Sequence, residues 1–203
     1  LTWSHTSSGA DRLLIVGVSY ASSTVSGVTY GGVAMTSVGT QAGINGSMHM
    51  WRLINPATGA NNVVVTMAAS TSIVGGAVSF TGAHQTTPLG PFVSATSNTD
   101  PASISVASAV GEIVIDTIAT DGPPLTVGAG QTQRWNTSIA TAFGAGSTEP
   151  GAAFVTMSWA TGGTTAWALG GVSVKPAPGA TGNTGATGNT GATGATGVAG
   201  ATG

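Results

Sequence analysis

The sequence predicts an all-β fold, a two-sheet β-sandwich of simple sandwich or jelly-roll topology, followed by a triple-helical tail. Three observations carry this. Short β-branched segments recur through residues 1–175, and the turn-forming clusters between them often fall near the 8–12-residue spacing of all-β sandwiches. No window of about 11 residues holds a 3.6-residue apolar period, so no amphipathic helix is expected. From Gly179 to Gly203 glycine then occupies every third position without a miss.

In chain order, "RLLIVGVSY" (Arg12 to Tyr20) is a β-branched strand bounded by polar residues. "GVTYGGVAMTSVG" holds two short apolar stretches around Gly31-Gly32, the composition of a tight hairpin. Further strands are expected at Met48 to Leu53, Asn62 to Met67, Ile73 to Thr81, Ile104 to Val106, Glu112 to Ala119, Gln131 to Ser138, Ala152 to Trp159 and Thr165 to Val174. "NPATGANN", "TGAHQTTPLG", "TSNTDP", "DGPP" and "GSTEPG" are the turns between them. Alternation puts Val155, Met157 and Trp159 on one face of their strand. It likewise sets Ile113 and Ile115 opposite Glu112, Val114 and Asp116. A domain of about 175 residues buries roughly 70% of its unfolded surface, enough for a core without staples.

Composition narrows the function. With 4 Lys+Arg and 6 Asp+Glu, 5% of the chain is charged, against about a quarter in an average soluble protein. The net charge of −2 gives no basic patch to neutralise phosphates, so nucleic acid is not an expected partner. Apolar runs such as "LLIV" and "VVV" fall far short of the roughly 20 residues of a membrane helix, so no span is expected. Cysteine is absent, which removes disulfides, thiol catalysis and thiolate metal ligands together. The start at Leu1, without Met or a signal-like stretch, reads as a processed or incompletely covered N-terminus. A surface of Ser, Thr, Asn and Gly with little charge suits assembly or glycan coating.

Glycine at period three is what three polyproline-like strands need when they wind about one axis, because only hydrogen fits at the centre. The tail core is therefore Gly179, Gly182, Gly185, Gly188, Gly191, Gly194, Gly197, Gly200 and Gly203. Pro176 and Pro178 form a short extended linker, 176–178, between the head and the repeat, 179–203. No proline follows Gly179, so the triple helix lacks its usual preorganisation and needs support from the head, from assembly or from sugars. Thr181, Thr184, Thr187, Thr190, Thr193, Thr196 and Thr202 occupy the outward Y position as an array open to O-glycosylation.

On these triplets, with Thr at Y, the tail resembles the Gly-X-Y region of bacterial and phage collagen-like proteins. The head, through "RLLIVGVSY", "VTYGGVAM" and "AVSFTGAHQTTPLG", is similar to a β-sandwich module of secreted bacterial proteins. The collagen-like resemblance implies an extracellular homotrimer at the cell surface or in a virion fibre, acting as stalk, fibre or filament. Two functions follow: a structural subunit polymerising into a filament, or a trimeric adhesin or phage-fibre module whose sandwich recognises a glycan or receptor.

Catalytic patterns are weak, and no enzyme is expected. "GVSYA" falls one residue short of a nucleophile elbow and places Ser19 in a strand. His5, His49 and His84 have no metal-ligand spacing, and neither a metal nor another cofactor is expected. Asp116 and Glu112 read as edge charges or partners for Arg12, Arg52 or Arg134, and Asp100 and Asp121 as turn formers. Trp159 and Trp167 belong to the core. Trp51 fits core or interface, and Trp135, among Gln133, Arg134 and Asn136, fits the core, a subunit interface or a sugar platform. Asn45 and Asn136 stand in N-glycosylation triplets.

Overall fold

The computed structural model describes residues 1–122 and 125–179, and these hold strands and turns with no helix. The strands are β1 (Thr2–Ser7), β2 (Leu13–Tyr20), β3 (Val25–Tyr30), β4 (Val33–Ala34), β5 (Thr36–Ala42), β6 (Ser47–Ile54), β7 (Gly59–Met67) and β8 (Ile73–Phe80) in the first half. The second half holds β9 (Val93–Ser97), β10 (Ala102–Ala107), β11 (Ile113–Thr120), β12 (Thr126–Val127), β13 (Thr132–Ile139), β14 (Ala142–Pro150), β15 (Phe154–Ala160) and β16 (Trp167–Val174). The all-β, antiparallel character is as the sequence predicts. Instead of two sheets, however, the described residues form four: β1-β7-β3-β4, β5-β6-β2-β8, β13-β14-β11-β16-β9 and β10-β15-β12.

The four sheets are one topology used twice. In each half the chain passes outer, inner, outer, inner, inner, outer, inner, as β1, β2, β3, β5, β6, β7, β8 and again as β10 to β16. The register repeats as well: Leu13 faces Phe80 as Ile113 faces Val174. A trace survives in sequence, "GAVSF" at 76–80 against "GGVSV" at 170–174.

Hydrophobic patterning sets the layer of each strand. β1 and β10 alternate buried and exposed side chains, the signature of a sheet with one wet face. β2 and β16 are buried along both faces, as strands inside a stack must be. Leu14, Val16, Val18 and Tyr20 join the core of the first half with Tyr30 and Val63. Leu13 and Ile15 point the other way and meet Ile115, Ala119, Val172 and Val174 of the second half. Val114 and Ile118 then join Trp159, Met157 and Leu169 in the third core. The two inner sheets therefore lie face to face, and the head is a four-layer stack.

The hairpin expected at Gly31-Gly32 is present. Tyr30 pairs with Val33 across the two glycines, whose φ values of 55° and 81° select glycine. Tyr30 is fully buried, and its hydroxyl donates to the carbonyls of His5 and Gly59 at 3.2 and 3.1 Å. Tyr30→Phe should lower stability by about 1 kcal/mol in urea unfolding, the scale of a buried hydrogen bond; no change would show that water satisfies those carbonyls.

Two local readings differ. "GSTEPG" is not a turn, because β14 continues to Pro150. Gly146 is needed inside that strand, where a Cβ would run into the Trp135 indole. The linker is not free either. Pro176 bridges to Ala83, and the Ala177 amide donates to Gly82 at 2.7 Å. The chain then turns at Pro178-Gly179, with Gly179 at φ 83°, a conformation unlike a polyproline strand.

The two ends of the head are distinct. The amides of Gly82 and Ala83 donate to the carbonyls of Ala10 and Asp11 in the β1–β2 turn. That turn follows Ser7, so it shares one end of the stack with Pro176. Leu1 lies beyond the far end of the six-residue β1, a strand about 20 Å long.

Candidate functional site

The most unusual polar site is a buried network that joins three strands of the second half. Asp116, on the face of β11 that points to the outer sheet, is 0% exposed. Its Oδ1 accepts from the Ser147 amide at 2.6 Å and from the Ser147 hydroxyl at 2.9 Å. Its Oδ2 accepts from the Trp159 indole N–H at 2.7 Å. The sequence expectation of an edge charge or a partner for arginine is corrected here: the inner-sheet position of β11 leaves this face no solvent.

The network continues outward. Gln131 Nε2 donates to Ser147 Oγ at 2.6 Å, while its Oε1 accepts from the Ser158 amide at 2.7 Å and lies 3.4 Å from Ser158 Oγ. Gln131 precedes β13, Ser147 lies in β14 and Ser158 in β15, so the carboxamide bridges the inner and outer sheets. Gly128 makes the approach possible, because a Cβ there would sit 2.6 Å from Gln131 Oε1. Burial pushes the Asp116 carboxyl up to about 7, and the hydrogen bonds from Trp159 and Ser147 pull against it. A hydroxyl thus stands between a carboxylate with a near-neutral pKa and a carboxamide whose oxygen already holds a backbone N–H.

A second site is an open cleft of about 350 Å³ at the end of the second inner sheet. It is lined by Glu112, Arg134 and Glu149 beside Val110 and Thr148. Three of the chain's few charged side chains therefore share it. Arg134 Nε donates to Thr148 Oγ1 at 2.7 Å, and burial pulls its guanidinium below the usual arginine value. Burial raises the Glu149 carboxyl, and its Oε2 is enclosed without a hydrogen-bond partner. Glu112 lies before β11 in a turn, with its amide bonded to Ala109 O at 3.0 Å, so it does not share a site with Asp116. Val110 and Phe154 are 92% and 72% exposed.

The remaining candidates fall in separate places. Ser19 Oγ donates to Phe143 O at 2.7 Å inside a strand. His5 is buried against Ser79 at 2.7 Å and held down to about 4 by burial; His49 is likewise lowered to about 4 and lies 4.4 Å from the Trp51 ring. His84 Nδ1 accepts from the Thr86 and Thr87 amides in its loop. Arg12 donates to Gly9, Pro56 and Asn55. Asp100 accepts from the Thr161 amide, and Asp121 from Asn45. No group of three or more His, Asp or Glu among the described residues is placed to hold a metal.

Trp159 and Trp167 are core residues, and Trp51 is buried beneath the first outer sheet. Trp135 is 6% exposed and packs with Val74 and Ala142 between the two inner sheets. It serves an interface inside the chain and has no open face for a sugar. Asn136 donates to Leu125 O at 2.9 Å. Gly182 to Gly203 and Thr181 to Thr202 lie outside the described residues. No helix among the described residues is long and apolar enough to cross a membrane. Comparison of the chain with protein-family models, curated proteins and solved structures gives no match.

Proposed function

We propose that the protein is a structural subunit of an extracellular filament, trimerised by a collagen-like tail. The observation that carries this is the unbroken three-residue glycine period. Gly179 belongs to the exit turn, so the proposed core begins at Gly182. The tail leaves the head at the end opposite Leu1, an arrangement that favours stacking of heads and stalks in one line. The Y-position threonines are its proposed sugar carriers, and the heads supply the local concentration that a proline-free triple helix needs.

Light scattering with electron microscopy of the purified full chain tests this. Homotrimers that build continuous filaments with regular head spacing are expected; a monomer would overturn it. Gly191→Ala should break the repeat in mid-tail and expose it to general proteases while the head stays intact. The Glu112–Arg134–Glu149 cleft favours one second reading, a trimeric stalk whose head binds a polar ligand such as a glycan. Separate three-headed particles, with binding lost in Arg134→Ala, would select it.

A further inference from the structure

The geometry points to an intramolecular ester between the Ser147 hydroxyl and the Gln131 side chain, formed by the protein on itself with release of ammonia. It does not depend on the filament reading, because every group involved lies in one head. Ser147 Oγ is the nucleophile. It donates to Asp116 Oδ1 at 2.9 Å, the position of a general base. The same oxygen is 2.6 Å from Gln131 Nε2, and covalent amide geometry puts it about 3.5 Å from the carbonyl carbon. That is the upper edge of near-attack distance, and a turn of the carboxamide about its last bond presents the carbon's face.

The balance closes without a co-reactant. Ser147 Oγ bonds to Gln131 Cδ as its proton passes to Asp116. The charge that develops on Gln131 Oε1 falls to the Ser158 amide, which holds that oxygen at 2.7 Å before the carboxamide turns and must follow it as the carbon's face is presented. Collapse breaks the Cδ–Nε2 bond, Asp116 returns its proton to nitrogen, and ammonia leaves. Hydroxyl and carboxamide become ester and ammonia, and Asp116 is again a carboxylate. Ser147 and Asp116 are both fully buried, so nucleophile and base are shielded from water, while Gln131, which carries the carbonyl, is half-buried. The cross-link ties the start of edge strand β13 to β14 beside it.

Only the ionised Asp116 accepts the proton, so formation should accelerate as pH rises through about 7. On the elements packed against it, β10, β15 and β16 carry no titratable side chain. The charged residues on β13 and β14 are Arg134 and Glu149, in the separate cleft.

Peptide mapping of the purified full chain by mass spectrometry decides the matter. After incubation at mildly alkaline pH, the chymotryptic peptide holding Gln131 should be joined to the one holding Ser147, lighter by one ammonia. Ser147→Ala should abolish the joined species, and Asp116→Asn should slow its appearance by about 100-fold. Wild-type chain that yields the two peptides separate and unmodified would overturn the inference. So would an ammonia loss that maps elsewhere, as to Asn45-Gly46, with these two peptides still separate. Because the main reading is taken on wild type, a variant that fails to fold does not blunt the test.

Discussion

Between about pH 4 and pH 7 the stability of the wild-type head should change little, while Asp116→Asn and His5→Asn should each expose a steep slope of opposite sign. Asp116 rises from 3.8 to about 7 on folding, so the folded state keeps a proton that the unfolded state loses. Its contribution is fully present below about 3.8 and is lost as pH climbs to about 7, a change of about 4 kcal/mol. His5 falls from 6.5 to about 4 because burial disfavours imidazolium. The folded state then binds fewer protons than the unfolded one, and stability rises by about 3 kcal/mol from pH 4 to 6.5. His49 shifts the same way, but its partial exposure reduces its share to less than about 1 kcal/mol.

The terms largely cancel in wild type. His5→Asn removes the rising one and should leave a head about 4 kcal/mol weaker at pH 7 than at pH 4. Asp116→Asn removes the falling one, and the head should strengthen by about 3 kcal/mol over the same range. Urea unfolding of the three proteins across that range measures this. Parallel profiles in wild type and Asp116→Asn would show that Asp116 ionises freely in the fold. Ester formation would remove the Ser147 hydroxyl as a donor to Asp116 and leave the sign unchanged.

What was legible in the sequence followed from how locally each feature is specified. "RLLIVGVSY" carries its β-branched residues in one run, and Gly31-Gly32 supplies both positive-φ positions of its hairpin, so both were readable. β1, with the pattern Thr-Trp-Ser-His-Thr-Ser, hides its buried face behind His5, which only its contact with Ser79 in β8 explains, and Ser7, whose hydroxyl is enclosed without a partner. β5 and β9, edge strands of the inner sheets, contain small and polar residues whose place is set by Gln41 accepting from Ser94. The doubling into two halves shows in the sequence only as "GAVSF" and "GGVSV", because topology is set by patterning and burial rather than by identical residues. Asp116 looked like a surface charge for want of any sign that both faces of β11 are covered. Gln131, Ser147 and Ser158 read as the start of a strand, part of a turn and the inside of another strand, and only the meeting of two sheets brings them together.

Small residues that let the inner sheets touch make the second large effect, and Gly76→Ala should show it most strongly, with a loss of about 3 kcal/mol or more. A methyl at Gly76 would run into the Trp135 ring, which is already enclosed by Val74 and Ala142 and has no room to withdraw. Gly17 makes the same kind of contact with Thr117, but there the neighbour is a short side chain. Gly17→Ala should therefore cost about 2 kcal/mol, and Thr117→Ala added to it should restore about half, since removing the hydroxyl and methyl leaves only the Thr117 Cβ at 3.1 Å. The inner faces form a shared core containing Leu13, Ile15, Ile115 and Val172, so neither half can bury its inner sheet without the other. The wild-type head should then unfold in one transition, and Gly76→Ala should shift that transition whole. Two separate transitions in wild type, or a Gly76→Ala variant as stable as its parent, would mean that the halves fold independently and that their contact contributes little.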